Sequence, residues 1–350
     1  MRLAMRPRIR PMPMSMRCAT RHPRIRLQSS TRAAALPRRS TTVIVPHSTR
    51  LVEVREQRTA EGVHLREFRV GNRVGECPVW DGGQLSWIDV RAPAFHMLDP
   101  QTCMMSTWRL DKPVGAHCRR VDGRVVLALS DELAVLDPAS GALSTVARPE
   151  PDRPGNRLNE GRVSPCGNWF LFGSMDDSGA RQPTGRIHAL HASGRCHIVH
   201  DGLYVANGFA WAPDGHTLYF SDSMAGVVYR ARWQPDAGTI GDIEPWVHAD
   251  ERAGRPDGAF VDDLGHYWSA GVSAGRINIY TQAGKRVAVV ALPCQAPSMP
   301  CPGPDGSVFV TSLIRPQWQA HEVRPEDGQL FQLMDVLRAG ARPSPRLSIL

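Results

Sequence analysis

The chain has 350 residues, 42% hydrophobic and 22% charged, which supplies enough apolar content for a sizeable core and excludes a largely disordered protein. Its formal charge of +8 invites a polyanion as partner, yet residues 1–52 hold 12 of the 42 basic residues, all Arg, and none of the 34 acidic ones. From residue 53 onward 30 basic residues face 34 acidic ones, so the body is mildly acidic and no nucleic-acid partner is expected.

Residues 1–55 are rich in Arg, contain Ser and have the composition of an organellar transit peptide. Pro7, Pro11, Pro13, Pro23 and Pro37 would break the amphipathic helix that such a peptide needs. The segment is therefore expected to be a disordered extension, and the compartment cytoplasmic, with an organelle as the alternative if the segment does act as a transit peptide. Eight cysteines lie scattered without a C-x-x-C pair, which excludes a zinc ribbon or a thioredoxin-type motif and agrees with a reducing cytosol. No run of 18 apolar residues occurs, so no membrane span is expected.

Residues 56–345 read as one domain built on a repeat. Gly82, Gly123, Gly167, Gly215, Gly265 and Gly306 each precede a short β-rich run (QLSWID, RVVLAL, NWFLFG, HTLYFS, HYWSAG, SVFVTS), at spacings of 41, 44, 48, 50 and 41 residues. Asn207 to Ser223 shows the unit most clearly: an apolar run, an Asp214-Gly215 turn, then an alternating run, the pattern of two antiparallel strands joined tightly. Behind most of these turns lies a further strand pair, so each period holds about four strands, as in a blade of a β-propeller. The fold class is thus all-β, a six-bladed β-propeller. Val63 to Val70 is expected to complete the last blade, since ring closure removes exposed sheet edges.

Equivalent positions of successive blades face one axis, so a site should appear as polar residues in phase. Eight residues before three turn glycines stand Asn159, Asn207 and Asp257, and Glu76 stands six before Gly82. Alone, an Asn-Gly or Asp-Gly is ordinarily a turn-capping side chain; four in phase point to a site. Two carboxylates and two amides offer oxygen donors preferred by Ca²⁺, Mg²⁺ or Mn²⁺ and tolerated by Zn²⁺ or Fe²⁺. Without a cation the carboxylates would repel, and one would hold a proton.

From about Phe68 to Leu333 the chain resembles the SMP-30/gluconolactonase family of regucalcin-like sugar lactonases. The resemblance rests on Gly75-Glu-Cys-Pro-Val-Trp80, on Arg157-Leu-Asn-Glu-Gly-Arg-Val-Ser-Pro165 and on Asn207-Gly-Phe-Ala-Trp-Ala-Pro-Asp-Gly215 with Tyr219 and Asp222-Ser223. Pro256-Asp-Gly258 with Asp262, Gly265 and Trp268 completes it. It implies a six-bladed propeller that hydrolyses a sugar lactone, with Glu76, Asn207 and Asp257 as metal ligands and Arg157 and Asn159 as the substrate-binding pair. One divalent cation of unspecified identity would polarise the lactone carbonyl, and Asp257 is the first choice for positioning or deprotonating the water. Glu160 stands where the family usually has Asp. No Glu follows between Glu160 and Glu244 to match a loop Glu of some members, and Asp176 or Asp177 is the candidate replacement. The expected partner is a small sugar lactone, and the expected state a monomer or weak dimer. A non-enzymatic metal-binding propeller, acting as regulator or interaction platform, is the alternative.

Gly271-Val-Ser-Ala-Gly275 satisfies the G-x-S-x-G pattern, but a strand follows where a nucleophile elbow needs a helix, so the match is read as chance. The pairs His188/His191 and His197/His200 are expected at solvated or edge positions. Trp80, Trp87, Trp169, Trp211 and Trp268 are expected in inter-blade packing.

Overall fold

A computed structural model describes residues 42–59, 62–337 and 344–348. Six antiparallel sheets radiate from an axis, each beginning at its innermost strand: Gly75–Trp80 (blade I), Val114–Arg119 (II), Asn156–Val163 (III), Ala206–Trp211 (IV), Pro256–Val261 (V) and Pro297–Pro302 (VI). Each inner strand packs beside the next, and the strand of blade VI beside that of blade I, which closes the ring.

The six turn glycines all join an inner strand to its neighbour, and all have positive φ, from 70° at Gly215 to 98° at Gly82. L side chains avoid that conformation, which is why glycine recurs there. At Gly215 the preceding Asp214 fixes the turn: its Oδ1 accepts from the amides of His216 and Thr217, both at 2.8 Å.

Blade VI takes its fourth strand from the other end of the chain. His64–Phe68 pairs with Leu330–Leu333 in the register Leu330 to Phe68 and Leu333 to Leu65, so the expected closing segment is the one used. Of the tryptophans expected between blades, Trp80 and Trp169 make ring contacts across a blade boundary, while those of Trp87, Trp211 and Trp268 lie within their own blades. Trp169 of blade III meets Trp233 of blade IV edge to face, Trp233 meets Trp211 of its own blade likewise, and Trp80 meets Phe309 between blades I and VI.

One expectation needs correction. Of the segment 1–55, residues 1–41 lie outside the described residues, but 42–55 is not a disordered extension. Thr42–Ile44 adds a fifth strand to blade II, His47–Leu51 to blade I and Val54–Arg58 to blade VI, so three sheets have five strands and three have four. Between these strands Val45 and Val52 are buried, at 6% and 3% exposure, under the outer strands they cover. The outer edges of blades that would otherwise stay open are thereby paired.

Candidate metal centre and catalytic site

The polar residues in phase all sit at irregularities of the inner strands. Pairing with the second strand slips between Glu76 and Val79, between Asn159 and Gly161, between Asn207 and Ala210, and between Pro256 and Ala259. Such bulges re-aim a side chain out of the regular alternation. Two need left-handed backbone: Cys77 at φ 51° and Gly208 at φ 66°. At Gly208 a Cβ would lie 2.5 Å from the Tyr267 hydroxyl, which itself donates to the Gly208 carbonyl at 3.0 Å.

These bulges bring side chains from three blades into one hydrogen-bonded row. Arg157 Nη1 donates to Asn159 Oδ1 at 2.7 Å, Asn159 Nδ2 to Asn207 Oδ1 at 2.7 Å, and Asn207 Nδ2 to Asp257 Oδ1 at 2.6 Å. Asn207 Nδ2 also donates to Ser223 Oγ at 2.8 Å. Asn159, Asn207 and Asp257 are all buried.

Glu76 approaches from blade I. Burial, then the charges of Asp257 and Glu160, push its carboxyl well above the usual range. Asp257 is pushed up to about 8 by burial and by Glu160, against the opposing pull of Arg315, Arg157 and the Asn207 hydrogen bond. Glu76 Oε2 is buried and has no hydrogen-bond partner among the described residues. Two carboxylates that each resist ionisation, one with an orphaned oxygen and amides alongside, fit a divalent cation, whose charge would relieve both. Among the described residues no group of three or more His, Cys, Asp and Glu has metal-holding geometry, so any such centre draws on amide as well as carboxylate oxygen.

Sequence reasoning overlooked several neighbours. Glu160 is 2% exposed and accepts from the amides of Gly208 (2.8 Å) and Phe209 (3.0 Å), pinning the Asn207 bulge from the next blade. Burial raises its carboxyl to about 7, those two amides opposing. Ser223 is a further partner, and its Asp-Ser motif was the signal available. Of the two candidate acids after blade III's second strand, Asp176 caps its own loop through Ser178 and Gln182. Asp177 instead lies 3.4 Å from Arg157 Nε and 2.5 Å from Arg91 Nη2, at the edge of the row. Arg91 lies in a turn that Asp89 caps as Asp222 caps its counterpart in blade IV, but the counterpart of Arg91 there is Met224, so no in-phase arginine marked it.

The remaining signals resolve simply. Ser273 of the G-x-S-x-G match lies in a strand–turn–strand, and its Oγ accepts from the Arg255 amide at 2.9 Å. His188 is not solvated: it is 1% exposed, with Nε2 2.7 Å from Glu150 Oε1 beside Ser174, because blade III's third strand runs through the interior.

The fold is thus that of a six-bladed β-propeller, with buried carboxyls, amides and the Arg157 guanidinium drawn from its inner strands. The chain belongs to the family described as SMP-30/gluconolactonase/LRE-like region, which residues 74–314 match. It is 30% identical to a 6-deoxy-6-sulfogluconolactonase of Pseudomonas putida over 248 residues, 68% of this chain and 83% of the relative. It is 32% identical to pentonolactonase XacC of Haloferax volcanii over 248 residues, 69% and 81% of the two chains. The structure of regucalcin from Agrobacterium tumefaciens, described as a calcium-binding protein, is similar with a TM-score of 0.74 and 26% identity, over 80% of this chain and 96% of that one.

Proposed function

We propose that the chain hydrolyses a sugar lactone to the open-chain acid, with one divalent cation held by Glu76, Asn207 and Asp257. The observation that carries this reading is the continuous row Arg157, Asn159, Asn207, Asp257, whose terminal carboxyl acts electrostatically on the buried Glu76, an oxygen of which has no hydrogen-bond partner among the described residues. The lactonases among its relatives support the substrate class, and the calcium-binding regucalcin supports a cation.

When bound, the cation supplies Lewis acidity toward the lactone carbonyl. Asp257 accepts the proton of the attacking water, being a carboxylate at the end of the row with Asn207 fixing one oxygen. As the ring ester bond breaks, the ring oxygen leaves as a hydroxyl with a proton returned to it. Arg157 and Asn159 orient the sugar hydroxyls, and their mutual hydrogen bond holds them in place before substrate arrives.

The test is proton release from glucono-, galactono-, xylono- and arabinolactone by metal-stripped protein, with Ca²⁺, Zn²⁺, Mg²⁺, Mn²⁺ or Fe²⁺ added back singly. Turnover should vanish on chelation and return with at least one cation. Hydrolysis that survives both chelation and Asp257→Ala would overturn the mechanism.

A further inference from the structure

The end of the propeller that carries the row is ringed by arginines on loops of different blades. In every blade the start of the inner strand lies opposite the end of the second strand, as Gly75 opposite Asp89 and Pro297 opposite Ser312. Arg91 follows the second strand of blade I, Arg315 follows that of blade VI, and Arg255 directly precedes the inner strand of blade V. All three therefore stand at the same end as Arg157, which lies at the start of blade III's inner strand.

Their surroundings leave positive charge over. Arg91 and Arg157 share the single carboxylate of Asp177. Arg315 reaches across to blade V, where its Nη2 donates to the Val272 carbonyl at 2.7 Å, and its charge is felt by Arg255 and by Asp257. Arg91 and Arg255 are exposed and Arg315 is half-buried, so their guanidinium groups are within reach of a ligand at the mouth. At this end four guanidinium groups stand against four carboxyls, Asp177, Asp257, Glu76 and Glu160, and a divalent cation on Glu76 and Asp257 would leave a cationic surplus. A neutral polyol needs hydrogen bonds but no such surplus. Guanidinium forks on converging loops match an oxyanion.

We propose that the preferred substrate is a lactone carrying a second, anionic group remote from the lactone carbonyl, bound at the mouth by Arg91, Arg315 and Arg255. The shared chemistry is an oxyanion, and its source is a terminal carboxylate or a phosphate-like ester. The inference rests on the lactonase reading for the reaction but not for the anion site, which can be tested by binding alone.

Calorimetry with the full chain loaded with cation would compare glucarate, a diacid, with gluconate, its monoacid counterpart. Glucarate should bind at least about tenfold more tightly at low salt, with the advantage shrinking as salt is raised. Arg315→Gln and Arg91→Gln should each reduce that preference, and the exposed Arg255→Gln serves where either variant melts early. In turnover, glucarolactone and gluconolactone 6-phosphate should each exceed gluconolactone in kcat/KM, and their ratio identifies the anion. Equal affinity for the two acids, or a preference untouched by the three substitutions, overturns the proposal. Failure to hydrolyse any lactone while the glucarate preference holds would sink the lactonase reading and leave the anion site standing.

Discussion

Asn207 of blade IV donates to Asp257 of blade V across 2.6 Å, both side chains buried, so an amide–carboxylate contact joins two sheets that share no strand. Asn207 is in turn held by Asn159 of blade III and, through its backbone neighbours Gly208 and Phe209, by Glu160. The contact is therefore held from blade III by two side chains, and changes on either side should propagate.

Asp257→Ala and Glu76→Gln should each lower metal-dependent lactone hydrolysis at least about a hundredfold, since loss of orienting partners alone costs roughly ten- to a hundredfold. Ser273→Ala should leave turnover unchanged. Proton-release rates with saturating cation check both expectations.

In cation-free protein, Asp257 titrates at about 8 against an ordinary value of 3.8, and Glu76 is shifted in the same direction. The folded chain then binds more protons than the unfolded one between those values. The contribution of these two carboxyls to stability without cation should accordingly be lost as pH rises towards about 8. Cation binding displaces those protons, so its stabilising effect should grow over the same interval. Melting curves with chelator and with cation, from about pH 5 to about pH 9, measure both trends. A cation-induced rise in Tm that is flat across this range would contradict the charge pairing.

Gly208→Ala would force a Cβ to 2.5 Å from the Tyr267 hydroxyl and 2.8 Å from Ser221 Oγ, at φ 66°. The left-handed backbone alone costs about 1–2 kcal/mol. A loss of about 2 kcal/mol or more in urea unfolding is expected, and hydrolysis should fall with it as Asn207 is displaced.

Removing residues 1–52 strips the outer strands Thr42–Ile44 and His47–Leu51 and uncovers the sites of Val45 and Val52. Burying one such valine side chain contributes about 1.5 kcal/mol or more. The truncated chain should melt several degrees lower and aggregate through its open edges. Equal melting temperatures would mean these strands add nothing.

Much of the candidate site was legible because a propeller repeats its geometry. Turn glycines with positive φ mark the phase, and Asn159, Asn207 and Asp257 fall at one offset from three of them. Glu76 falls out of step by two residues, and its blade carries a bulge around Cys77 with non-glycine left-handed backbone, which residue counting cannot foresee. Glu160 was read only as a departure from a motif. Its burial and its hold on the next blade's bulge arise from a contact 48 positions away in sequence.

By itself the sequence determined the number of blades, the closing segment and the family, because alternation, turn residues and motif spacing are local properties that recur in every period. Only the tertiary structure decided that residues 42–58 clasp three blades from outside, since a strand of exposed polar residues is specified by the edge it meets and not by its own pattern. It also decided which loop charges meet: Asp177 joins Arg91 of blade I to Arg157 of blade III, and Arg315 of blade VI reaches Val272 of blade V, contacts between blades that no local pattern specifies.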